Sequence, residues 1–149
     1  MIQPISCRIE LCTPGTHGEQ IHAVLHELRS ALDLATFEHC WRYQHQYYGY
    51  EVVVAWLDQE VAGIMGMRPV ETLSRGAFLH IDDLVVRHDC RRRGIGRALL
   101  NWGETWATAH GLGAIFLDSR LEALPFYQQL GYDSHGSVLV RKILDTQSA

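Results

Sequence analysis

The pattern of apolar and polar positions predicts a strand, two helices and a strand pair in the first half of the chain. Residues 6–11 alternate between apolar and polar side chains, as a half-buried strand does. Residues 17–32 carry apolar side chains at helical spacing, and residues 35–48 form a second predicted helix. Residues 50–56 and 61–67 are predicted strands, because both are short, apolar and joined by a polar turn.

The second half is organised around a strand predicted over residues 77–86, which follows a polar loop at residues 71–76. An amphipathic helix is predicted over residues 97–110. Residues 114–118 are a predicted short buried strand. Residues 123–132 are a predicted short helix, which Gly131 is expected to end. Strands and helices therefore alternate through this half of the chain.

The turn between the central strand and the next helix has the composition of a phosphate site. Gly94 and Gly96 lack a Cβ, so the backbone can approach phosphate oxygens closely. The first backbone N–H groups of a helix lack acceptors within it and carry the positive end of its dipole. Arg91, Arg92 and Arg93 add planar donors suited to phosphate. The turn therefore predicts a phosphate-bearing cofactor.

Two common nucleotide-binding motifs do not fit this turn. A dinucleotide fold needs a third glycine where Leu99 stands, and a Walker loop needs a lysine, whereas Lys142 is the only lysine of the chain. What remains is a pattern of Arg91, Gly94 and Gly96 directly after an apolar strand. A second motif lies on the short helix further along the chain and consists of Ala123, Phe126, Tyr127, Gly131 and Tyr132.

Together and in this order, the two motifs resemble those of the GNAT superfamily of N-acetyltransferases. The resemblance implies one domain over residues 1–149 with an α/β (α+β) fold, in which a mixed, mostly antiparallel central sheet is flanked by helices and contains a splayed central strand pair. It also implies a final strand hairpin. Arg120 departs from the family pattern, because an asparagine is common at that position.

The same resemblance implies acetyl-CoA as co-substrate, and no metal site is expected. It places the cofactor arm against the backbone of a locally bulged part of the central strand, at Leu84, Val85 and Val86. The remaining cofactor contacts are expected in the turn, at Arg91, Arg92, Arg93, Gly94, Ile95, Gly96 and Arg97. A bulge in the strand would splay its neighbour and open a slot for that arm.

Acetyl transfer to an amine needs a base, because most alkyl amines are protonated at neutral pH and are then not nucleophiles. Asp82 and Asp83 are the candidates, since carboxylates inside an apolar strand are costly unless they are solvated or paired. Neighbouring strand residues alternate, so the two side chains are expected on opposite faces. The resemblance to spermidine/spermine N-acetyltransferases places the amine-facing acid at Asp82, with Asp83, Glu71 and a water chain as alternatives.

The resemblance also implies that Tyr127 is the general acid that protonates the leaving thiolate. A phenol, with an ordinary pKa of about 10, can donate that proton. The alternative role for Tyr127 is structural, with the ring packed beneath a strand and the hydroxyl bonded to backbone.

The expected activity is transfer of an acetyl group to a primary amine of a small molecule, a protein or a peptide. The alternatives are a catalytically silent CoA-binding sensor or interaction module and a transferase that uses another acyl-CoA. Retention of Tyr127 and of the acidic pair argues against a silent module. The acceptor stays open among polyamines, amino acids, aminoglycoside-like drugs, peptide N termini and lysine side chains.

The composition of the chain limits the expected domain size, partners and cellular location. A hydrophobic content of 47% in 149 residues supports one sizeable core. The chain has no apolar run of about 18 residues and no signal-peptide pattern, so no membrane partner is expected. The net charge of -4 argues against nucleic acid as a partner, and cysteines without metal-site spacing indicate a reduced, cytoplasmic protein. A homodimer is left open.

Two further groups of residues favour structural roles. His22 and His26 lie four residues apart on a predicted helix, but without a third ligand the pair is expected at the surface or half-buried rather than on a metal. Aromatic residues between the first two predicted strands could hold a cationic amine, although core packing is the favoured interpretation. They are Trp41, Tyr43, Tyr47, Tyr48 and Tyr50.

Overall fold

A computed structural model describes residues 6–145 of the chain. The chain divides into two compact units, one that ends at Asp118 and one that begins at Ser119. The single domain predicted over residues 1–149 stays a prediction. Within residues 6–145, no helix is both long enough and apolar enough to cross a membrane.

The first unit is built on a sheet that has five strands in the described part of the chain, side by side in chain order. The strands are β1 (Arg8–Cys12), β2 (Glu51–Leu57), β3 (Glu60–Thr72), β4 (Gly76–Val86) and β5 (Ile115–Leu117). The helices of this unit are α1 (Gly18–Leu25), α2 (Leu34–Tyr48) and α3 (Ile95–Ala109). The first four strands pair antiparallel, and β5 pairs parallel to β4. This arrangement confirms the predicted fold class.

The sheet lies between two apolar layers. On one face, buried side chains of α1, α2 and the strands form a core cluster that includes Ile21, Trp41 and Val85. On the other face α3 packs closely, because a Cβ added at Gly103 would lie 3.0 Å from Met65. Burial of these apolar side chains stabilises both layers. β4 therefore has one face towards α1 and α2 and the other towards α3.

β4 and β5 separate soon after they meet. They pair only at Leu79, His80 and Ile81 of β4. β4 then continues to Val86, whereas β5 ends at Leu117. Beyond Ile81, β4 consequently has a strand partner on the β3 side alone. This opening is the splayed central strand pair that the resemblance implies.

The helix predicted over residues 17–32 is too long. α1 ends at Leu25, and turns follow in which the Arg29 N–H donates to Leu25 O over 2.9 Å. These turns pack Leu28 and Leu32 against the core cluster and bring Arg29 to β4, which a continuous helix would not do. The polar loop predicted over residues 71–76 is also shorter, because β3 runs to Thr72 and β4 begins at Gly76.

The second unit contains a short helix, α4 (Leu124–Gln129), which follows a 3₁₀ turn at Leu121–Ala123. Gly131, with a φ of 90°, ends the helical segment, and the Tyr132 N–H folds back to donate to Tyr127 O over 3.0 Å. The predicted final hairpin is wrong for the described residues, since 133–145 form no strand. A hairpin consists of two paired strands, and the described residues of the second unit contain no strand.

Candidate active site

The turn before α3 leaves the helix N-terminus accessible. Gly94 is the N-cap residue with a φ of 82°, in the left-handed region that favours glycine, and no side chain caps the helix. The three arginines of the turn are exposed, and a Cβ added at Gly94 would meet nothing within 4 Å. The N–H groups of Ile95, Gly96 and Arg97 begin the helix and have no acceptor within it. This geometry suits an anionic ligand.

The open side of β4 carries part of the backbone predicted for the cofactor arm. The Arg87 N–H donates to β3 over 2.7 Å. Because hydrogen-bonded and non-hydrogen-bonded pairs alternate along antiparallel strands, Val85 directs its backbone to β3, whereas Leu84 and Val86 direct theirs to the open side. The Arg91 Nε donates to Val86 O over 3.2 Å and links this edge to the turn. The cofactor contacts predicted for Leu84, Val85 and Val86 stay predictions.

The acidic pair lies at a bulge in β4. Asp83 pairs with Gly66 and Ile81 pairs with Met67, so Asp82 is an extra residue without a partner on β3. The bulge therefore lies just ahead of Leu84–Val86 rather than within it. An extra residue also breaks the alternation of faces on which the prediction for the two aspartates depended.

Neighbours along β4 establish the faces of the two carboxylates. Leu79 Cδ2 lies 3.7 Å from a Cβ added at Gly103 of α3, so Asp82, an odd number of residues later, projects from the opposite face. Val85 belongs to the core cluster beneath α1 and α2, and Asp83, two residues earlier, shares that face. Both carboxylates project from the α1 and α2 face, and the predicted opposite orientation is wrong.

Asp83 is held by side chains from distant parts of the chain. The Tyr50 hydroxyl donates to Asp83 Oδ2 over 2.8 Å, and Arg29 donates to Oδ1 from Nε at 3.2 Å and Nη2 at 3.0 Å. Burial raises the pKa of Tyr50, and the neighbouring Asp83 carboxylate raises it further. Tyr50 therefore stays protonated, and Asp83 is a paired anion.

Asp82 is held by a different pair of residues. The Arg68 Nε donates to Asp82 Oδ2 over 2.8 Å, and His80 Nδ1 lies 3.1 Å from Oδ1. Burial alone would raise the pKa of Asp82, but the hydrogen bonds and charges of His80 and Arg68 outweigh it and lower the pKa. The other ring nitrogen of His80, Nε2, lies 4.0 Å from Asp118 Oδ2 at the end of β5.

A cavity of about 430 Å³ opens beside Asp83 on the α1 and α2 face. Most of its wall is apolar or aromatic, with Phe37 and Trp41 among the lining residues. Arg29 and Asp83 are the charged residues of the described lining. The indole Nε1–H of Trp41 is buried and has no hydrogen-bond partner among the described residues. A cavity of this composition suits a small organic molecule with a few polar groups.

Tyr127 lies on α4 in the second unit. Its ring meets Phe126 and Tyr132 edge to face, with centroids 5.1 and 5.8 Å apart. Partial burial raises the pKa of the Tyr127 phenol. The phenol is therefore protonated at neutral pH, as a proton donor must be.

Comparison with known proteins decides the family. A model of the "Acetyltransferase (GNAT) family" matches residues 21–132, a span that contains β4, the turn before α3 and α4. The chain belongs to the GNAT acetyltransferase family.

Similar proteins agree with this assignment. YhdJ of Bacillus subtilis, named as an uncharacterized N-acetyltransferase, is 30% identical to this GNAT chain over 101 residues, which cover 68% of this chain and 71% of that protein. A glucosamine 6-phosphate N-acetyltransferase of Trypanosoma brucei brucei is 35% identical over 69 residues, 46% of this chain and 47% of its own length.

Solved structures share the GNAT fold. An acetyltransferase of Trypanosoma brucei matches with a TM-score of 0.78 at 22% identity, over 93% of this chain and all of that one. An aminoglycoside acetyltransferase from an uncultured soil sample, solved with sisomicin, matches with a TM-score of 0.79 at 20% identity, over 93% of this chain and 97% of that one. At these identities the likeness shows the fold alone.

The structure of this GNAT chain brings some predicted site residues together and adds others. The turn and the edge of β4 meet through Arg91 and Val86. The clusters around the aspartates also contain His80, Arg68 and Arg29, which were not predicted from the sequence, and Tyr50, for which core packing was the favoured interpretation. His80 had a local signal, since it lies two residues before Asp82 on the same strand and hence on the same face. Arg68 lies beside Asp82 through the pairing of β3 with β4, and Tyr50, just before β2, reaches Asp83 past Gly66 of β3.

The aromatic group on and after α2 divides into two sets. Trp41 and Tyr50 are buried, as core packing predicts. Tyr43, Tyr47 and Tyr48 are exposed, so core packing is the wrong interpretation for them. The His22 side chain contacts the backbone, with its Nε2 2.6 Å from Leu32 O, which is a structural role.

Gly66→Ala is expected to destabilise the protein by about 1–3 kcal/mol, the usual range for overpacking. A Cβ at Gly66 would overlap the Tyr50 hydroxyl and push it away from Asp83. Thermal denaturation should show a lower Tm than the wild type. Gly136→Ala is the matched control, because a Cβ there meets nothing within 4 Å. Equal Tm values for the two variants would contradict the close packing of Gly66 on Tyr50.

Proposed function

We propose that this GNAT protein transfers an acetyl group from acetyl-CoA to a primary amine of a small molecule. One observation carries the proposal: two neighbouring residues of β4 serve two different sites. Asp83 lines the cavity beneath α1 and α2, and Leu84 presents its backbone to the open side of the strand. An amine in the cavity and an acyl arm along the open edge would therefore meet at one point of β4.

The residues at hand fit acetyl-CoA as the donor. Its pyrophosphate needs backbone donors at a helix N-terminus, which Gly96 and its neighbours at the start of α3 supply. Exposed arginine side chains of the turn reinforce that contact. Its pantetheine arm contains amide groups, for which Leu84 and Val86 offer backbone partners on the open side of β4.

The chemistry divides between a base and an acid. The base is proposed among the residues around the acidic pair at the bulge of β4, Asp82 and Asp83. Tyr127 is the proposed general acid for the CoA thiolate, on the strength of its family motif and of a pKa raised by burial. Direct attack of the amine on the thioester completes the transfer without a covalent enzyme intermediate.

A small acceptor is favoured by the cavity. Its volume of about 430 Å³ suits a small molecule, and its aromatic wall can contact an apolar body or an ammonium group. A glucosamine phosphate acetyltransferase and an aminoglycoside acetyltransferase among the similar proteins also bear small-molecule names. These names support the size class of the acceptor and not its identity.

Cys40→Phe is expected to raise the KM for the amine about tenfold or more while leaving the KM for acetyl-CoA unchanged. Cys40 lines the cavity, and the larger side chain would fill part of it. His39→Phe is the matched control, because His39 lies next to it on α2 but is exposed and outside the lining. Steady-state kinetics with both substrates varied measure the effect, a tenfold change being about 1.4 kcal/mol. Equal amine KM values would remove the acceptor from this cavity.

The proposed function is tested by a screen of amines with acetyl-CoA, in which free CoA thiol is detected. Small polyamines, amino acids, amino sugars and aromatic amines form the panel, and a lysine peptide tests the protein-acceptor alternative. Thiol release above the amine-free rate with at least one small amine supports the proposal. Release with the lysine peptide alone would reject the small-molecule acceptor, and release with none would reject the activity.

A further inference from the structure

His80 has a carboxylate near each of its two ring nitrogens. His80 lies on β4 at the last residues that pair with β5, and its side chain is only 18% exposed. Its Nδ1 lies 3.1 Å from Asp82 Oδ1, and its Nε2 points in the direction of Asp118, with 4.0 Å between Nε2 and Oδ2. Because Nδ1 is within hydrogen-bond distance of a carboxylate and Nε2 is not, we expect the neutral imidazole to carry its proton on Nδ1 and a lone pair on Nε2.

Asp82 is, by contrast, poorly placed to accept a proton itself. Each of its oxygens already has a partner, Arg68 on Oδ2 and His80 on Oδ1. Protonating the carboxylate would weaken both contacts, which is why its pKa is lowered despite burial. Asp83 is occupied in the same way by Arg29 and Tyr50.

We propose that His80 Nε2 accepts the amine proton and that Asp82 is a positioning residue that holds the imidazole. This inference rests on the proposed acetyl transfer and names its base. His80 lies outside the lining of the cavity, on the same face of β4 as Asp83, which lines it. Within residues 6–145, Asp82 on β4 and Asp118 after β5 lie at the two ring nitrogens of His80, and Arg68 is its register partner on β3. The two carboxylates stabilise the imidazolium that forms, while Arg68 fixes Asp82 in place.

Acetyl transfer begins with the loss of a proton from the ammonium group. An ammonium N–H bond breaks, its proton goes to His80 Nε2, and the electron pair stays on nitrogen. That pair forms the C–N bond to the thioester carbonyl as the C–S bond breaks, and sulfur leaves with the bonding electrons. The thiolate takes a proton, for which Tyr127 is the proposed donor. The second proton of the amine nitrogen goes to water, and the phenolate is reprotonated from water. Imidazolium then releases its proton to water.

Asp82 and His80 form a unit that resembles the base and orienting carboxylate of other acyl-transfer sites. The carboxylate fixes the tautomer and the ring orientation and then compensates the charge. A purely structural imidazole would need no free nitrogen at the point where β4 and β5 separate. Here Nε2 has no hydrogen bond within residues 6–145 and faces a carboxylate 4.0 Å away.

The test is the pH dependence of kcat/KM for the wild type and for His80→Gln, with the best amine of the screen. The glutamine can still donate to Asp82 but cannot accept the proton. We expect a loss of about 100-fold at neutral pH, within the range of general-base effects. The loss should shrink as pH rises, because more of the amine then arrives deprotonated. Acetyl-CoA affinity should not change, and His39→Gln on exposed α2 should behave as the wild type.

Asp82→Asn separates positioning from proton transfer. It should reduce kcat/KM less than His80→Gln, and the loss should fall in kcat with little change in the KM for the amine, because the imidazole keeps its lone pair but loses the carboxylate that holds its ring. An unchanged rate and profile for His80→Gln would overturn the proposal while leaving acetyl transfer intact. A wild type that transfers acetyl to no amine would reject both.

A second measurement does not depend on the folding of any variant. Nitrogen-15 NMR of the wild-type histidines at neutral pH reports which ring nitrogen of His80 carries the proton, with the ring signals assigned by through-bond correlation to the His80 backbone. We expect the Nδ1–H tautomer, in which Nε2 is free to accept. An Nε2–H tautomer would overturn the proposal, because that nitrogen would already be protonated.

Discussion

Gly96→Glu is expected to weaken acetyl-CoA binding by about 100-fold or more, which corresponds to about 3 kcal/mol of binding free energy. Gly96 is the second residue of α3, where backbone N–H groups and the helix dipole favour an anion. A glutamate there would place a carboxylate in the space and field that the pyrophosphate needs. Isothermal titration with acetyl-CoA measures the change.

The fold should tolerate this substitution. Glutamate is a good helix former, and a negative charge is favourable in the first turn of a helix. Gly136→Glu is the matched control, because it adds the same charge at a glycine with free space outside the turn. Arg97→Ala should cost less than about tenfold, since it removes one side-chain donor and no backbone N–H. Wild-type affinity in Gly96→Glu would exclude the α3 N-terminus as the cofactor site.

Tyr127→Phe is expected to lower kcat by roughly 10- to 1000-fold, the range of general-acid effects, with little change in acetyl-CoA affinity. The substitution keeps the ring contacts with Phe126 and Tyr132 and deletes only the proton donor. Because burial raises the pKa of Tyr127, the phenol stays in its active, protonated form through neutral pH. On the alkaline side of the pH profile, activity of the wild type should therefore fall as the phenol ionises.

Pre-steady-state kinetics separate this role from a structural one. Tyr47→Phe, at a tyrosine that is 62% exposed on α2, is the control for loss of a hydroxyl. If chemistry limits the rate and kcat for Tyr127→Phe equals that of the wild type, Tyr127 is not the acid. A loss of stability without a loss of kcat would likewise assign it to packing.

The strand, turn and helix that form the cofactor half of the site were predictable because their signals are local. The apolar run of β4, the glycines of the turn and the helical spacing of Leu99 and Trp106 all lie within one stretch of sequence. The bulge at Asp82 was not predictable in this way. Its position depends on how β4 registers with β3, where Gly66 and Met67 pair around it. The faces of the two aspartates follow from that register.

The part of the site around Asp83, where the amine is proposed to bind, is formed by contacts between residues that are distant in the sequence. Arg29 reaches Asp83 only because α1 stops at Leu25 and the chain turns, whereas the apolar spacing of the sequence continues beyond that point. Tyr50 reaches the same carboxylate because Gly66 leaves room for its hydroxyl. Packing between residues that are distant in the sequence overrides local periodicity here. The order of residues along the chain does not show which distant side chains will be in contact.

The central claim is that this GNAT protein moves an acetyl group from CoA to an amine nitrogen. The most direct test uses acetyl-CoA with an isotopic label in the acetyl group, the wild-type protein and the amine panel, with products identified by mass spectrometry. We expect a labelled N-acetyl amine and free CoA in equal amounts, and far less of both when Gly96→Glu replaces the wild type at a limiting acetyl-CoA concentration. Binding of acetyl-CoA without any labelled amide, from any amine of the panel, would contradict the claim and favour a silent CoA-binding module.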